Sequence, residues 1–201
     1  MNNSTFSTEL LRAMRQLVDP QAEDRDNCRR YLSDNRRAAW KTLKSVITSN
    51  DVIDRHGAVL AIQSLGLRNR DAIGFLKQTL TDSAPEVRAT SCWACETIGK
   101  RAVSLRREVT YCLEDKFWYV RQAAIYAVVR LFPDDRSTAQ CVFHALNDRE
   151  SHVRATAAKL SPAVRFVTAQ HLVRLKREEK SDDYIVSQYA KNAISKIQRR
   201  K

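Results

Sequence analysis

Cys92-Trp-Ala-Cys95 sets two thiols at the spacing of a thiol–disulfide couple or of half a tetrahedral zinc site. A zinc site needs a second pair, and Cys112 and Cys141 stand singly. The four histidines, His56, His144, His152 and His171, show no i, i+4 pairing that would put two on one helical face. No Gly-rich phosphate loop, Gly-x-Ser-x-Gly or His-Glu-x-x-His occurs. Residues able to do chemistry are present without the spacing that chemistry needs. The sequence holds no positive sign of an enzyme, and no cofactor or metal is expected.

The elements that position these residues are helical. Only 4 Gly and 4 Pro occur in 201 residues, too few for a fold built on many tight turns. Hydrophobic content of 43% suits a folded core. No apolar run of about 18 residues exists, so a membrane-spanning helix is not expected. The start of the chain shows no basic region followed by an apolar core, and a cytoplasmic location is the default expectation. Five cysteines, an odd number, then read as reduced thiols packed as small hydrophobes.

Self-similarity sets the architecture. Asp82, Asp115 and Asp148 repeat at intervals of 33, and Arg88, Arg121 and Arg154 repeat with them; one step back lies Arg55. Three residues after each arginine stand Ala58, Ser91, Ala124 and Ala157, all small. Six after come Ala61, Ala94, Ala127 and Leu160; seven after, Ile62, Cys95 and Val128; ten after, Leu65, Ile98 and Leu131. Offsets of 3, 6–7 and 10 trace one stripe of a helix. Cys95 therefore falls in a core column, which accounts for it without redox or metal chemistry. A second stripe runs through Leu43, Leu76, Val109, Val142 and Leu175, again at 33, with Ile47, Leu80, Leu113 and Leu146 beside it.

These are antiparallel helix pairs. First helices are expected near 37–48, 69–80, 102–113, 135–146 and 163–179. Second helices are expected near 52–65, 84–98, 117–131, 150–160 and 182–199. Residues 5–18, with Phe6, Leu10, Leu11, Met14, Leu17 and Val18, form another amphipathic stretch, separated by Asp19-Pro20 from a partner near 22–33. The expectation is an all-α superhelix of about five to six pairs in one domain. It has a divergent cap over 1–34, core repeats over 35–160 and a basic cap over 161–201. Asp54 stands where Val87, Val120 and Val153 stand later, so that unit's loop should be remodelled.

The pattern Asp-x-x-x-x-Val-Arg, followed by small and hydrophobic columns, resembles HEAT repeats, in particular the short form of phycobilisome bilin-lyase-like proteins. The resemblance covers roughly 35–199 and is strongest over 69–160. It implies that Arg88, Arg121 and Arg154 bond Asp82, Asp115 and Asp148, or their neighbours' counterparts, as a structural ladder between loops. It also implies that second helices line a concave face. Five residues after each arginine come Leu60, Trp93, Tyr126 and Lys159. With Gln63, Glu96, Gln122 and Arg130 they form an expected partner-binding row, Trp and Tyr being common interface anchors. The competing reading is that Trp93 and Tyr126 cover the seam between repeats.

Net charge is +12, and residues 151–201 supply an excess of 8. Arg174, Lys176, Arg177 and Lys180, then Lys196, Arg199, Arg200 and Lys201, make two basic clusters. They suit a polyanion or an acidic partner, or are simply a solvated cap. Lys116-Phe117-Trp118-Tyr119-Val120-Arg121 faintly resembles helix-start segments of HEAT-like alkylpurine DNA glycosylases. Asn50-Asp51-Val-Ile-Asp54, the nearest analogue of their catalytic Trp-Asp segment, lacks the aromatic. The expected function is a non-catalytic protein-binding scaffold. DNA binding through the basic end, and assistance to a modifying enzyme as in tetrapyrrole attachment, are the alternatives.

Overall fold

A computed structural model describes the backbone of residues 3–19, 21, 24–66 and 70–200, and side chains from residue 7 onward within those ranges. Pro20, Lys201 and the side chain of Phe6 lie outside the described residues. Among the described residues there is no strand. The helices are α1 (Asn3–Gln16), α2 (Arg25–Asp34), α3 (Arg36–Val46), α4 (Val52–Ser64), α5 (Arg70–Thr79), α6 (Pro85–Ile98), α7 (Arg106–Tyr111), α8 (Trp118–Leu131), α9 (Arg136–Ala145), α10 (Ser151–Leu160), α11 (Ala169–Glu178) and α12 (Tyr184–Gln198). The chain divides into two compact units, Met1–Arg101 and Ala102–Lys201.

The repeating columns are the core. Leu43, Leu76, Val109, Val142 and Leu175 all have 0% exposure, as do Ala58, Ser91, Ala124 and Ala157. Burying a Leu or Ile fully is worth about 1.5–3 kcal/mol, so the first-helix stripe is a principal source of stability. Small residues in the second-helix columns let α4 lie close along α6 in the first unit, and let α10 lie between α8 and α12 in the second. The one hydroxyl in the small column is satisfied: Ser91 Oγ donates to Val87 O at 2.8 Å and meets Thr79 Oγ1 at 2.7 Å. Cys92, Cys95 and Cys112 are buried as thiols, Cys95 in its expected column.

In the first unit α1 packs on α2, α3 and α4. The approach to α4 is close enough that a Cβ on Gly57 would stand 2.6 Å from Met14 O, which only glycine tolerates. Gly66 (φ 55°) and Gly99 (φ 67°) end α4 and α6 in the left-handed region.

Two expected helices start late. The helix expected from 102 begins as a 3-10 segment, Gly99–Leu105, and α7 proper starts at Arg106. The helix expected from 163 starts at Ala169. Pro162, in the 3-10 turn Ser161–Ala163, has no N–H to continue the chain as α-helix. A capping box between Thr168 and His171 then sets the new start.

Candidate functional site

Each second helix begins on an aspartate. Asp82 Oδ1 accepts from Ala84 N at 2.8 Å, Asp115 Oδ1 from Phe117 N at 3.0 Å, and Asp148 Oδ1 from Glu150 N at 2.9 Å. In α4 and α12 the aspartate is the cap itself: Asp51 accepts from Ile53 N, and Asp183 from Ile185 N and Val186 N. An arginine one turn into the helix folds back onto the same loop. Arg88 Nη1 donates to Asp82 O at 2.7 Å and to Ser83 O at 3.0 Å, and Arg55, Arg121 and Arg154 repeat this with Ser49 and Asn50, Asp115 and Lys116, and Asp148 and Arg149.

The remaining edge of the guanidinium reaches the next loop. In the first unit Arg55 grips Asp82 with both Nε (2.7 Å) and Nη2 (2.8 Å). In the second Arg121 grips Asp148 with Nε at 2.7 Å and Nη2 at 2.6 Å. Both are fork-on-fork pairs, the strong form of the interaction. Burial pushes the carboxyls of Asp82 and Asp148 up, but the guanidinium and the capping N–H outweigh it and hold both below their usual value. Arg154 departs from the pattern. It meets Glu178 on α11 through Nε alone, at 3.1 Å. In the first unit, Arg15 of α1 bonds Asp54 (2.6 Å) and Asp51 (3.0 Å), and Ser49 Oγ also donates to Asp54. The remodelled first loop is thus built on Asp54, 6% exposed. Its carboxylate accepts from both Arg15 and Ser49, and that of Asp51 from Arg15 and the Ile53 amide.

The second helices also touch one another through side chains 34 residues apart, one more than the repeat. His56 Nε2 and Thr90 Oγ1 lie 2.8 Å apart, and Gln63 Nε2 donates to Thr97 Oγ1 at 3.3 Å. In the second unit Gln122 Nε2 donates to Thr156 Oγ1 at 2.9 Å, and Trp118 stacks on His152 at 4.7 Å. Burial holds the His56 imidazolium below the ordinary histidine range, against the opposing pull of Glu86.

Counted from the arginine, these contacts and the expected row use offsets −3, −2, 1, 2, 5, 8 and 9. At about 100° per residue those positions fall within an arc of about 140°, a single face of each second helix. Leu60, Gln63, Trp93 and Glu96 are half-buried on that face in the first unit. In the second, Gln122 and Tyr126 are half-buried while Arg130 and Lys159 are exposed. Lys159 Nζ donates to Tyr126 Oη at 3.1 Å and lies 5.5 Å from the Tyr126 ring centroid and 5.8 Å from that of Tyr189. That hydrogen bond raises the lysine's pKa, so it stays a cation.

The basic residues of the C-terminal end fall on two helices. Arg174, Lys176 and Arg177 are on α11, a first helix, where Arg174 lies over Phe143 at 5.6 Å. Lys196 is on α12, with Arg199 and Arg200 just beyond it; all three are exposed. Glu178, the 34-residue contacts and the Arg15 bridge were not expected. The contacts had a faint signal: polar residues alternate between the first position after the arginine (His56, Gln122) and the second (Thr90, Thr156).

No protein-family model and no curated protein matches the chain. Solved structures do. The Escherichia coli protein YibA aligns with a TM-score of 0.72 at 15% identity, over 99% of this chain and 78% of YibA. A designed armadillo repeat protein in complex with the peptide (KR)4 aligns at 0.60 and 16%, over 94% of this chain and 99% of the other. An archaeal HEAT-like repeats protein from Thermococcus onnurineus NA1 aligns at 0.54 and 13%, over 94% and 79%. With its paired helices, its buried columns at one interval and these likenesses, the chain has the α-α repeat fold of HEAT- and armadillo-like proteins.

Proposed function

We propose that this chain is a non-catalytic scaffold that takes a partner protein on the faces of its second helices. One observation carries the reading: the column five residues after each arginine leaves Leu60, Trp93 and Tyr126 half-exposed on a face whose polar groups are already organised by neighbouring helices. Half-buried Trp and Tyr held in a preset frame are the residues that dominate binding energy at interfaces. The designed armadillo protein that aligns over nearly its whole length is a peptide binder, which supports the same use of this fold. Assistance to a modifying enzyme is one form of this scaffold role, and an absorbing ligand that co-purifies would mark it.

A photo-crosslinking residue placed at Tyr126 or Trp93 should capture a partner from the native cell, and the same residue at Tyr111 on α7 should not. Capture from Tyr111 alone would refute the assignment of the face. DNA binding through Arg199, Arg200 and the cations of α11 is the second reading, favoured by the charge excess at that end. It requires duplex affinity that falls steeply with salt.

A further inference from the structure

The second helices of the second unit contain no carboxylate. Across α8, α10 and α12 there is no Asp or Glu, while Arg130, Lys159, Lys191 and Lys196 are exposed along them. The nearest carboxylates stand at the helix starts: Asp148 is held by Arg121 and Glu150 N and Asp183 by the first amides of α12, while Glu150 and Asp182, which precede α10 and α12, are more open. Arg121 and Arg154 are turned into the ladder, so the outward charge comes from Arg130 and Lys196 nine residues after the repeat position and Lys159 at five. Around these cations stand Tyr119, Tyr126, Tyr189, Gln122, Gln188 and Asn192, side chains that bond through hydroxyl and amide groups.

We propose that this face, on α8, α10 and α12, binds an acidic peptide segment of a partner protein in extended form. The inference rests on the scaffold reading and adds the sign of the partner's charge. Adjacent packed helices stand about 8–10 Å apart, and an extended peptide rises about 3.3 Å per residue. Every second side chain of an extended peptide faces the same way, so carboxylates at alternate positions, about 6.6 Å apart, fall within reach of the long cationic side chains on successive helices. Arg130 offers a planar fork for one carboxylate, and Lys159 and Lys196 offer point charges for the others. Single-stranded nucleic acid fits less well, because it needs open ring faces on which bases stack. Here one face of the Trp118 ring is covered by His152, and the Lys159 ammonium holds the Tyr126 hydroxyl and lies 5.8 Å from the Tyr189 ring centroid.

The test uses the full chain and fluorescein-labelled peptides of equal length: one with alternating Asp and Gly, one with Lys in place of Asp, and one with Ser. Fluorescence anisotropy should show the acidic peptide bound most tightly, with affinity falling as salt rises. Arg130→Glu with Lys159→Glu should weaken it at least about tenfold. Lys196→Glu alone, which disturbs no internal bond, should weaken it by a smaller factor. Lys176→Glu with Lys180→Glu, on and after α11, should leave it unchanged. Equal or tighter binding of the basic or neutral peptide would overturn the charge preference yet leave the face a peptide site. Binding unaffected by all three reversals of this face, or displaced by a single-stranded oligonucleotide at lower concentration, would overturn the proposal outright. The scaffold reading fails separately, by absence of crosslinks from Tyr126 and Trp93.

Discussion

The second helices of the two units turn the same positions outward and fill them differently. In the first unit α4 and α6 place Glu86 and Glu96 beside Leu60 and Trp93, and the face holds no cation; His56 is kept neutral by burial. In the second, α8, α10 and α12 place Arg130, Lys159 and Lys196 beside Tyr126 and Tyr189, with no carboxylate in any of the three helices. Beneath the faces the units agree closely. Arg55–Asp82 and Arg121–Asp148 have the same two-point geometry, and the same 34-residue step joins His56 to Thr90 and Gln122 to Thr156. The teaching is that a repeat constrains the side chains that close it and leaves the others to vary. The variable positions are the ones to which recognition is assigned in the proposal.

The largest effects should fall on the shared frame and be alike in both units. Arg121→Ala strands a carboxylate that is 13% exposed, and Arg55→Ala one that is 9% exposed, so each should cost about 3 kcal/mol in urea unfolding. Arg154→Ala strands Glu178, whose side chain is 9% exposed, so despite its single bond it should cost about as much. A cost at Arg154 far below the other two would show that the two-point grip, and not burial of the carboxylate, sets the penalty. Gly57→Ala should cost about 1–3 kcal/mol by driving α1 off α4. The equivalent positions Thr90, Ala123 and Thr156 already carry side chains, so this sensitivity belongs to the first unit alone. Gln122→Ala should cost about 0.5–1 kcal/mol through the lost bond to Thr156, whose hydroxyl keeps its own bond to His152 O.

Acid should act on both units through the same sign. Asp82 and Asp148 are held below their unfolded values, so their contribution is complete above the ordinary carboxylate range. It is lost as pH falls through that range to the depressed values, where the unfolded chain binds the proton first. His56 is depressed too, so the first unit should weaken earlier, as pH falls through the ordinary histidine range. A His56→Gln variant, followed by circular dichroism against pH, should remove that early loss and keep the later one. An unchanged profile would show that the imidazole does not titrate with folding.

The frame was legible because its apolar columns recur at one interval: Leu43 through Leu175, and the small residues Ala58 through Ala157, announce which helical face is closed. Helix starts were less so. Pro162 and the 3-10 segment Gly99–Leu105 displace two of them, and a column of apolar residues does not register whether a turn closes on its third or fourth neighbour. Glu178 was hidden because it lies 24 residues past Arg154, where the other rungs span 27. The 34-residue contacts were hidden because they join different columns, so no single column repeats them. The outward face was legible in its residue types. Its division by charge needed the structure, which shows that Arg121 and Arg154 turn inward and Arg130 and Lys159 do not.

The contrast between the two faces is tested most directly by amide chemical shifts of the full chain titrated with the alternating Asp-Gly peptide. Shifts concentrated on α8, α10 and α12, with α4 and α6 unmoved, are the predicted result. Shifts centred on α4 and α6, or on α11, would contradict the account.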